Sequence, residues 1–340
     1  MNQFFSEKDT SRKEAVLAAQ QQHPQKLPAY IIEKDFYVTC VLEILYNVIA
    51  PTLSARSTEP FIFKGGTSLS KCHMLINRMS EDIDLSFSME LLGKEEVSRE
   101  PTRGRGKMQD EAKQIDEVAK EFIVAELLPI LEQELLKLDN RIQIVVEQDL
   151  PLNIGIHYHS VIEEGAAVTR RVLLETGGLS QNNPVQTVKV THMLGEIIED
   201  FRADKFEVVA LSPERTMLEK MFGVHTNLTQ EKPLPKYARH LYDILKLHQQ
   251  DESWCSNREL FMGHVEFSDV HYKTHQASCD SARTGPLMLC PKSESMVAHY
   301  ESDWNSMADM FPHSQLPYDF ATLIHEVEKI ESLINGYFYD

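Results

Sequence analysis

The chain has 340 residues, of which 42% are apolar and 25% charged, a composition typical of a globular protein long enough to form two lobes. Its net charge of −18 argues against a protein that wraps nucleic acid non-specifically, because such proteins are usually basic. No apolar run has the length of a membrane span and the first residues lack a signal-peptide core, so we expect a cytoplasmic protein. Five scattered cysteines argue against disulfide bonds.

Two helices are predicted before the first strand. Residues 9–23 are charged and Gln-rich with moderate helical periodicity, which is typical of a surface helix. The electrostatics of a helix start account for Glu33 and Asp35 in the second helix without any function. From Ile31, apolar residues at helical spacing predict that this second helix is largely buried; they are Phe36, Val38, Val41, Leu42, Leu45 and Val48.

Residues 61–88 contain a glycine turn between a strand and a helix. An apolar run at residues 61–63 predicts a short buried strand, and Gly65-Gly66 ends it. Thr67 and Ser68 then cap a predicted helix that runs to about Asn77. Glycine lets the backbone approach a phosphate closely, and a helix N-terminus offers unpaired N–H groups. The four residues from Gly65 to Ser68 are therefore predicted to bind phosphate, although their spacing is not that of a Walker P-loop.

Two aspartates follow on a second predicted strand. Residues 80–87 alternate between polar and apolar, which places Asp82 and Asp84 on one face. Neighbouring carboxylates repel each other, and Mg²⁺ or Mn²⁺ bridging to substrate phosphates would relieve that repulsion. Either pattern alone fits a surface turn or a solvated acidic strand, but their ordered combination favours a nucleotide site.

The middle of the chain is predicted to supply one long helix and most of the sheet. Residues 100–107 read as a polar, basic loop, and residues 109–138 as a long amphipathic helix or helix pair. Strands are predicted at Arg141–Glu147, Asn153–His159, Thr169–Thr176, Val185–Val190 and Phe206–Leu211.

The C-terminal part is predicted to be helical. Ser212-Pro213 is a good helix start, and Lys220 lies in that helix among apolar residues, where a lysine usually extends to solvent. Residues 225–235 read as a polar loop before the next helix, and residues 319–334 have core spacing in a closing helix. We therefore predict a core lobe at residues 1–211 and a helical lobe at residues 212–340 that closes an acidic cleft.

The segment FKGGTSLSK followed by RMSEDIDLSF resembles the AbiEii/AbiGii toxin family. Within it, Gly65-Gly66-Thr67-Ser68 with Ser80-x-Asp82-x-Asp84 resembles the DNA polymerase β-like nucleotidyltransferase signature. The resemblance extends over roughly residues 26 to 335. It implies an α+β fold: a mixed or antiparallel nucleotidyltransferase sheet flanked by helices, with a helical C-terminal lobe. It also implies a toxin of a type IV toxin–antitoxin or phage-defence system.

The resemblance also implies roles for particular residues. Asp82 and Asp84 match the metal ligands, and Glu175 is a candidate third ligand by position, although an edge-strand glutamate facing water explains it equally well. Lys220 matches a lysine that contacts the triphosphate. Asp243 matches the second aspartate of a family phrase whose first position is His240 here; Asp243 could position Lys220, or simply pair with Arg239 one turn away. Lys34 lies in a matching E-K-D phrase, for which we favour a structural role.

The predicted activity is Mg²⁺-dependent nucleotidyl transfer from a nucleoside triphosphate to an acceptor. By resemblance, the acceptor is the 3′ end of tRNA, whose modification would block translation, and a cognate antitoxin is the implied partner. Basic residues that could meet RNA on this acidic body are Arg103, Arg105, Lys107, Arg170, Arg171, Lys232, Lys236 and Arg239. Two alternatives stay open: nucleotidylation of a protein or small molecule, and a non-catalytic GTP-binding regulator.

Overall fold

The computed structural model describes residues 2–95, 104–150, 152–163, 170–178, 180–271 and 276–339. The chain divides into two compact units. We call Met1–Cys72, Met79–Glu96 and Gln114–Leu211 the sheet unit, and His73–Arg78, Val97–Lys113 and Ser212–Asp340 the helical unit. The chain thus leaves the sheet unit after Cys72 and returns to it at Met79. No helix within the described ranges is both long and apolar enough to cross a membrane.

The sheet unit is built on a mixed sheet, which confirms the predicted fold class. The order of the seven strands that the described residues form is β3-β4-β5-β2-β1-β7-β6, with β2 at the centre. The pairs β1–β7 and β2–β5 are parallel, and the other pairs are antiparallel. The strands are β1 (Phe61–Lys64), β2 (Ile83–Phe87), β3 (Gln143–Val146), β4 (Asn153–His157), β5 (Arg171–Gly177), β6 (Val185–Val190) and β7 (Phe206–Leu211).

Helices pack around this sheet through apolar side chains that contact its buried residues. Phe61, Phe63 and Phe87 are fully buried, and the Phe87 ring meets Phe122 edge to face. Two helices continue through π-helical turns at Ile44–Ile49 and Ile123–Leu127. The helices in this part of the chain are α1 (Asn2–Ser6), α2 (Asp9–Gln22), α3 (Ala29–Glu43), α4 (Ala50–Thr52), α5 (Gly65–Lys71), α6 (Arg105–Phe122), α7 (Leu128–Leu138) and α8 (Met193–Ile197).

The helical unit is formed mainly by the C-terminal third of the chain. Its first long helix starts as predicted: the Ser212 hydroxyl accepts a hydrogen bond from the Arg215 N–H at 3.2 Å, and Pro213 occupies the first turn. The helices are α9 (Pro213–Thr229), α10 (Arg239–Gln250), α11 (Arg258–His271), α12 (Gln276–Thr284), α13 (Glu294–Asn305) and α14 (Phe320–Phe338).

Several predicted boundaries were wrong. Strand β2 was predicted from Ser80 but begins at Ile83, so Asp82 lies before the strand and does not share a strand face with Asp84. Helix α5 ends at Lys71 rather than near Asn77, because Met74 adopts a left-handed backbone conformation (φ +53°) that no α-helix continues. The predicted loop at 225–235 begins later, since α9 extends to Thr229. In the predicted loop at 100–107, residues 100–103 lie outside the described residues, and α6 already begins at Arg105.

Candidate active site

The glycine turn ends β1 and brings its backbone against a carboxylate of the neighbouring strand. Strands β1 and β2 pair antiparallel with Lys64 opposite Asp84. Gly65 follows directly with φ +75°, and a Cβ atom there would lie 1.8 Å from Asp84 Oδ2. Both the dihedral angle and the available space therefore require glycine at this position. The predicted phosphate turn and the second aspartate are in direct apposition.

The two hydroxyl residues of the turn serve structural contacts. Ser68 is fully buried and its hydroxyl donates to the Gly65 carbonyl oxygen at 3.0 Å. The Thr67 hydroxyl, also buried, donates to Ser80 Oγ at 3.0 Å, which joins the first motif to the second. The predicted phosphate contact would thus use backbone N–H groups of the first turn of α5. That contact stays a prediction.

Two of the three candidate metal ligands line one cavity. Asp84 on β2 lies opposite Glu175 on β5, and β5 runs between β2 and β4, so Glu175 is not on an edge strand. Asp82 precedes the first residue of β2 and is half-buried. The cavity has a volume of about 210 Å³ and is lined by Lys64, Asp84, Leu85, Glu175, Thr176, Gly177 and Ser180.

The donor atoms of this cavity suit a hard divalent cation that a substrate helps to hold. Among the described residues, no group of three or more His, Cys, Asp or Glu side chains is arranged to bind a metal ion. Mg²⁺ commonly uses one or two protein carboxylates and takes further oxygens from substrate phosphates and water. Asp84 and Glu175 meet that requirement. The Lys64 ammonium, which donates to Ser180 Oγ at 2.9 Å, adds a cation to the same cavity.

The E-K-D motif of α3 lies beyond the first turn of the helix, which begins at Ala29, so the explanation of Glu33 and Asp35 from helix-start electrostatics was wrong. These residues instead make contacts with distant segments. Glu33 accepts a hydrogen bond from the Val161 N–H at 2.7 Å. Lys34 forms a buried ion pair with Glu81, the residue before Asp82. Asp35 accepts from Lys71 Nζ at 2.6 Å and from the Met193 N–H at 2.7 Å. Each of the three residues therefore fixes a different segment of the sheet unit to α3.

A second charged cluster lies within the helical unit. Asp243 on α10 is fully buried and binds Arg78 through two hydrogen bonds, Nε to Oδ1 at 2.7 Å and Nη2 to Oδ2 at 2.6 Å. Lys220 Nζ on α9 lies 2.8 Å from the same Oδ2 atom and 3.4 Å from His240 Nδ1. The structure thus joins Lys220 and Asp243, the two site residues that the sequence predicted in this unit.

The protonation states in this cluster follow from burial and from neighbouring charges. Burial alone would raise the pKa of Asp243, but the Arg78 and Lys220 cations outweigh it and hold the pKa well below its ordinary value. Burial lowers the pKa of Lys220, and the Asp243 charge opposes that effect. Burial and the Lys220 cation lower the pKa of His240 far enough to keep its ring neutral near pH 7. A neutral His240 can therefore accept a hydrogen bond from the Lys220 ammonium.

Sequence reasoning missed Arg78. It offered Arg239 as the simple partner of Asp243, whereas the ion pairs of Asp243 in the described structure are with Arg78 and Lys220. Arg239 lies beside the cluster, and its buried Nε has no hydrogen-bond partner among the described residues. The available signal was the position of Arg78, two residues before Ser80 in the second motif.

The basic residues proposed for RNA are only partly open to a ligand. Arg171 is paired with Glu147, and Arg170 is exposed and donates to the Glu163 carbonyl oxygen at 3.0 Å. Lys107, Lys232 and Lys236 are exposed. Arg103 and the Arg105 side chain lie outside what the structure describes.

A mixed sheet with a glycine turn against a strand carboxylate, and a second carboxylate on the adjoining strand, is the arrangement expected of a nucleotidyltransferase. A family model described as "Nucleotidyl transferase AbiEii toxin, Type IV TA system" matches residues 53–326. The chain therefore belongs to the AbiEii family of nucleotidyltransferase toxins, which confirms the resemblance seen in the sequence, and it is a nucleotidyltransferase toxin of a type IV toxin–antitoxin system.

Among solved structures, the chain is similar to MenT4, the nucleotidyltransferase toxin Rv2826c from Mycobacterium tuberculosis H37Rv, with 13% sequence identity and a TM-score of 0.48. That match covers 95% of this chain and 89% of the MenT4 chain. No curated protein matches the chain in sequence.

Proposed function

We propose that the protein transfers a nucleotide from a nucleoside triphosphate to an acceptor hydroxyl at the Gly65–Asp84 site. The apposition of these two residues carries the proposal. It holds a turn that suits phosphates against a carboxylate that suits a divalent cation, as this reaction requires.

The residues of the sheet unit bind and orient the triphosphate. Asp82 and Asp84, with Glu175, are the side chains that would hold Mg²⁺ or Mn²⁺. When bound, such an ion neutralises charge on the phosphates and stabilises the leaving pyrophosphate. The backbone N–H groups of Gly66, Thr67 and Ser68 bind phosphate oxygens, and the glycine turn allows that close approach. The acceptor hydroxyl attacks the α-phosphorus, and the bond to pyrophosphate breaks.

In the helical unit, Lys220 is the proposed cation for the triphosphate. Its ammonium is held by Asp243 and His240 rather than left to move in solvent. Because the Lys220 side chain is already ordered before the substrate binds, its charge can stabilise the transition state with no further cost in conformational entropy. Asp243 therefore acts through Lys220, as a positioning residue, and Arg78 fixes Asp243 in turn.

The acceptor is proposed to be the 3′ end of tRNA in the cytoplasm, with a cognate antitoxin as the partner and phage defence as one setting. This acceptor follows from the family resemblance, while the net charge of −18 suits a protein or small-molecule acceptor at least as well. This acidic net charge is the reason for keeping a protein or small-molecule acceptor as the alternative.

The test is incubation of the purified protein with Mg²⁺ and each α-³²P-labelled nucleoside triphosphate, with total tRNA or a cell protein extract as acceptor. We expect label on tRNA that disappears in Asp82→Ala and Asp84→Ala, while Asp149→Ala, at an exposed loop aspartate, keeps it. Label on protein would identify the protein-modifying alternative, and no label on either acceptor would contradict both. Toxicity retained by a folded Asp82→Ala protein would contradict the enzyme assignment.

A further inference from the structure

We propose that the buried ion pair between Lys34 and Glu81 positions Asp82 for the metal. This inference rests on the proposed function, since it concerns the same metal-dependent site. Lys34 is thereby a positioning residue, because it acts on the site through the neighbour of a proposed ligand. The E-K-D phrase of α3 gains a function that its sequence alone did not indicate.

Asp82 lies outside the residues of β2 that pair with the neighbouring strands. Asp84 is held on both sides, opposite Lys64 on β1 and opposite Glu175 on β5. The register of β2 with β5 begins at Ile83, one residue after Asp82. Sheet pairing therefore fixes the second aspartate of the motif, whereas the first one lies just before the paired residues, where the contacts of its neighbours bear on its position.

Two side-chain contacts hold the backbone immediately before Asp82. The Thr67 hydroxyl, at the start of α5, donates to Ser80 Oγ at 3.0 Å. The Lys34 ammonium then binds the Glu81 carboxylate, with 3% of the Lys34 side chain and 12% of the Glu81 side chain exposed. Ser80 and Glu81 are thus tied to α5 and α3, respectively. Asp82 is the next residue after these two fixed points.

Helix α3 also holds the chain at the point where it leaves the sheet unit, at the end of α5. Lys71, the last residue of α5, binds Asp35 at 2.6 Å. Residues 34 and 35 of α3 therefore anchor both the end of α5 and the start of the second motif. The residues between these anchors, His73–Arg78, belong to the helical unit. Anchors on both sides keep the phosphate turn and Asp82 fixed relative to each other.

Stability alone does not account for this pair. Taking a lysine and a glutamate out of water costs about as much as their attraction returns, so a well-packed apolar pair would stabilise the fold equally well. An ion pair has defined donor and acceptor atoms. It therefore fixes the direction of the adjacent backbone more precisely than apolar packing does. Loss of groups that hydrogen-bond the metal ligands directly changes metal affinity by roughly 10- to 100-fold, so a pair next to a ligand is expected to act at the lower end of that range.

The test measures Mn²⁺ binding directly, by the electron paramagnetic resonance signal of free Mn²⁺, with α,β-methylene analogues of the four nucleoside triphosphates present. Lys34→Met is expected to weaken Mn²⁺ binding about tenfold. The double variant Lys34→Met/Glu81→Met also removes the carboxylate that Lys34 neutralised, so it is expected to regain stability but not Mn²⁺ affinity. Lys34→Arg, which keeps the charge, is expected to restore part of the affinity.

Arg12→Met is the matched control, because Arg12 and Asp139 form another buried ion pair of the sheet unit that involves neither motif. At an equal loss of thermal stability, this control is expected to bind Mn²⁺ within twofold of the wild type. Wild-type Mn²⁺ affinity in folded Lys34→Met or in the double variant would contradict the role of the Lys34–Glu81 pair but not the proposed function. A wild-type protein whose Mn²⁺ binding does not depend on Asp84 would instead overturn the proposed function.

Discussion

Arg78 and Asp243 are 165 positions apart in the sequence, yet they form a two-point ion pair with side chains only 1% and 0% exposed. The segment that carries Arg78 lies between the glycine turn and the aspartate motif. The pair therefore connects a residue of the motif region to the helix that holds Lys220 in place. Its loss would affect both the folding of the helical unit and the position of Lys220.

We expect Asp243→Asn to lower the free energy of unfolding of the helical unit by about 3–5 kcal/mol, because the neutral amide leaves Arg78 and Lys220 buried without their counter-charge. Both tryptophans, Trp254 and Trp304, lie in this unit, so tryptophan fluorescence during urea titration reports its unfolding. The control is Glu326→Gln, in the same unit. It breaks an ion pair with Lys329 whose side chains are 34% and 57% exposed, and it should cost under about 1 kcal/mol. Equal losses of unfolding free energy in the two variants would show that the buried ion pair contributes no more to stability than the exposed one.

A second prediction concerns Gly65 and has an internal control in Gly93. Both glycines have positive φ, +75° and +59°, but a Cβ at Gly93 would meet nothing within 4 Å. Gly93→Ala should therefore lose about 1–2 kcal/mol of stability from backbone strain and keep its nucleotidyl transfer. Gly65→Ala bears the same strain and must also displace the Asp84 carboxylate, so we expect at least a hundredfold loss of transfer rate. Comparable rates in the two folded variants would contradict this account of the turn.

The sequence predicted most of the sheet because its signals are local. Strands β6 and β7 have the predicted bounds, and β1, β4 and β5 differ from prediction by no more than two residues at either end. Alternating side chains and turn residues carry that information within a few positions. The glycine turn and the two aspartates were recognised for the same reason, as short ordered patterns.

The partners of buried charges could not be predicted in this way. Lys34 binds Glu81 and Asp243 binds Arg78 across sequence separations of 47 and 165 residues, and no local periodicity encodes such pairs. The early end of α5 has a similar origin, since the chain leaves one unit for the other after Cys72. Tertiary packing outweighs helix propensity there.

A third prediction concerns pH and His192, which is fully buried at the start of α8. Its Nδ1 accepts the Gly195 N–H at 2.9 Å, and burial lowers its pKa to about 4 even though Asp35 opposes the shift. The unfolded chain binds a proton near pH 6.5 and the folded protein only near pH 4. His192 therefore costs the fold about 3 kcal/mol of stability as the pH falls across that interval.

His192→Asn keeps an acceptor suited to a helix start but does not titrate. Relative to the wild type, this variant should gain about 3 kcal/mol in unfolding free energy between pH 7 and pH 4, measured by circular dichroism during urea titration. The difference between two proteins isolates this histidine, because the other titrating groups are common to both. Parallel pH curves for the two proteins would show that His192 is not the group responsible.

The last prediction separates a metal ligand at Glu175 from an inert strand glutamate. Glu175 lies opposite Asp84 and lines the same cavity, while the Asn153 side-chain amide lies 3.5 Å from its Oε1. Glu175→Gln keeps the shape and that hydrogen bond but removes the negative charge that Mg²⁺ prefers. We expect the Mg²⁺ concentration for half-maximal transfer to rise at least tenfold, with a smaller loss of rate at saturating Mg²⁺.

Glu207→Gln provides the comparison, since Glu207 is also a strand glutamate but is exposed on β7 beside Lys189. This variant should keep the wild-type Mg²⁺ dependence. If Glu175→Gln behaves in the same way, Glu175 binds no metal, and the site depends on Asp82 and Asp84 with substrate oxygens alone. A rise confined to Glu175→Gln would instead assign the third carboxylate, because only the charge inside the cavity differs between the two variants.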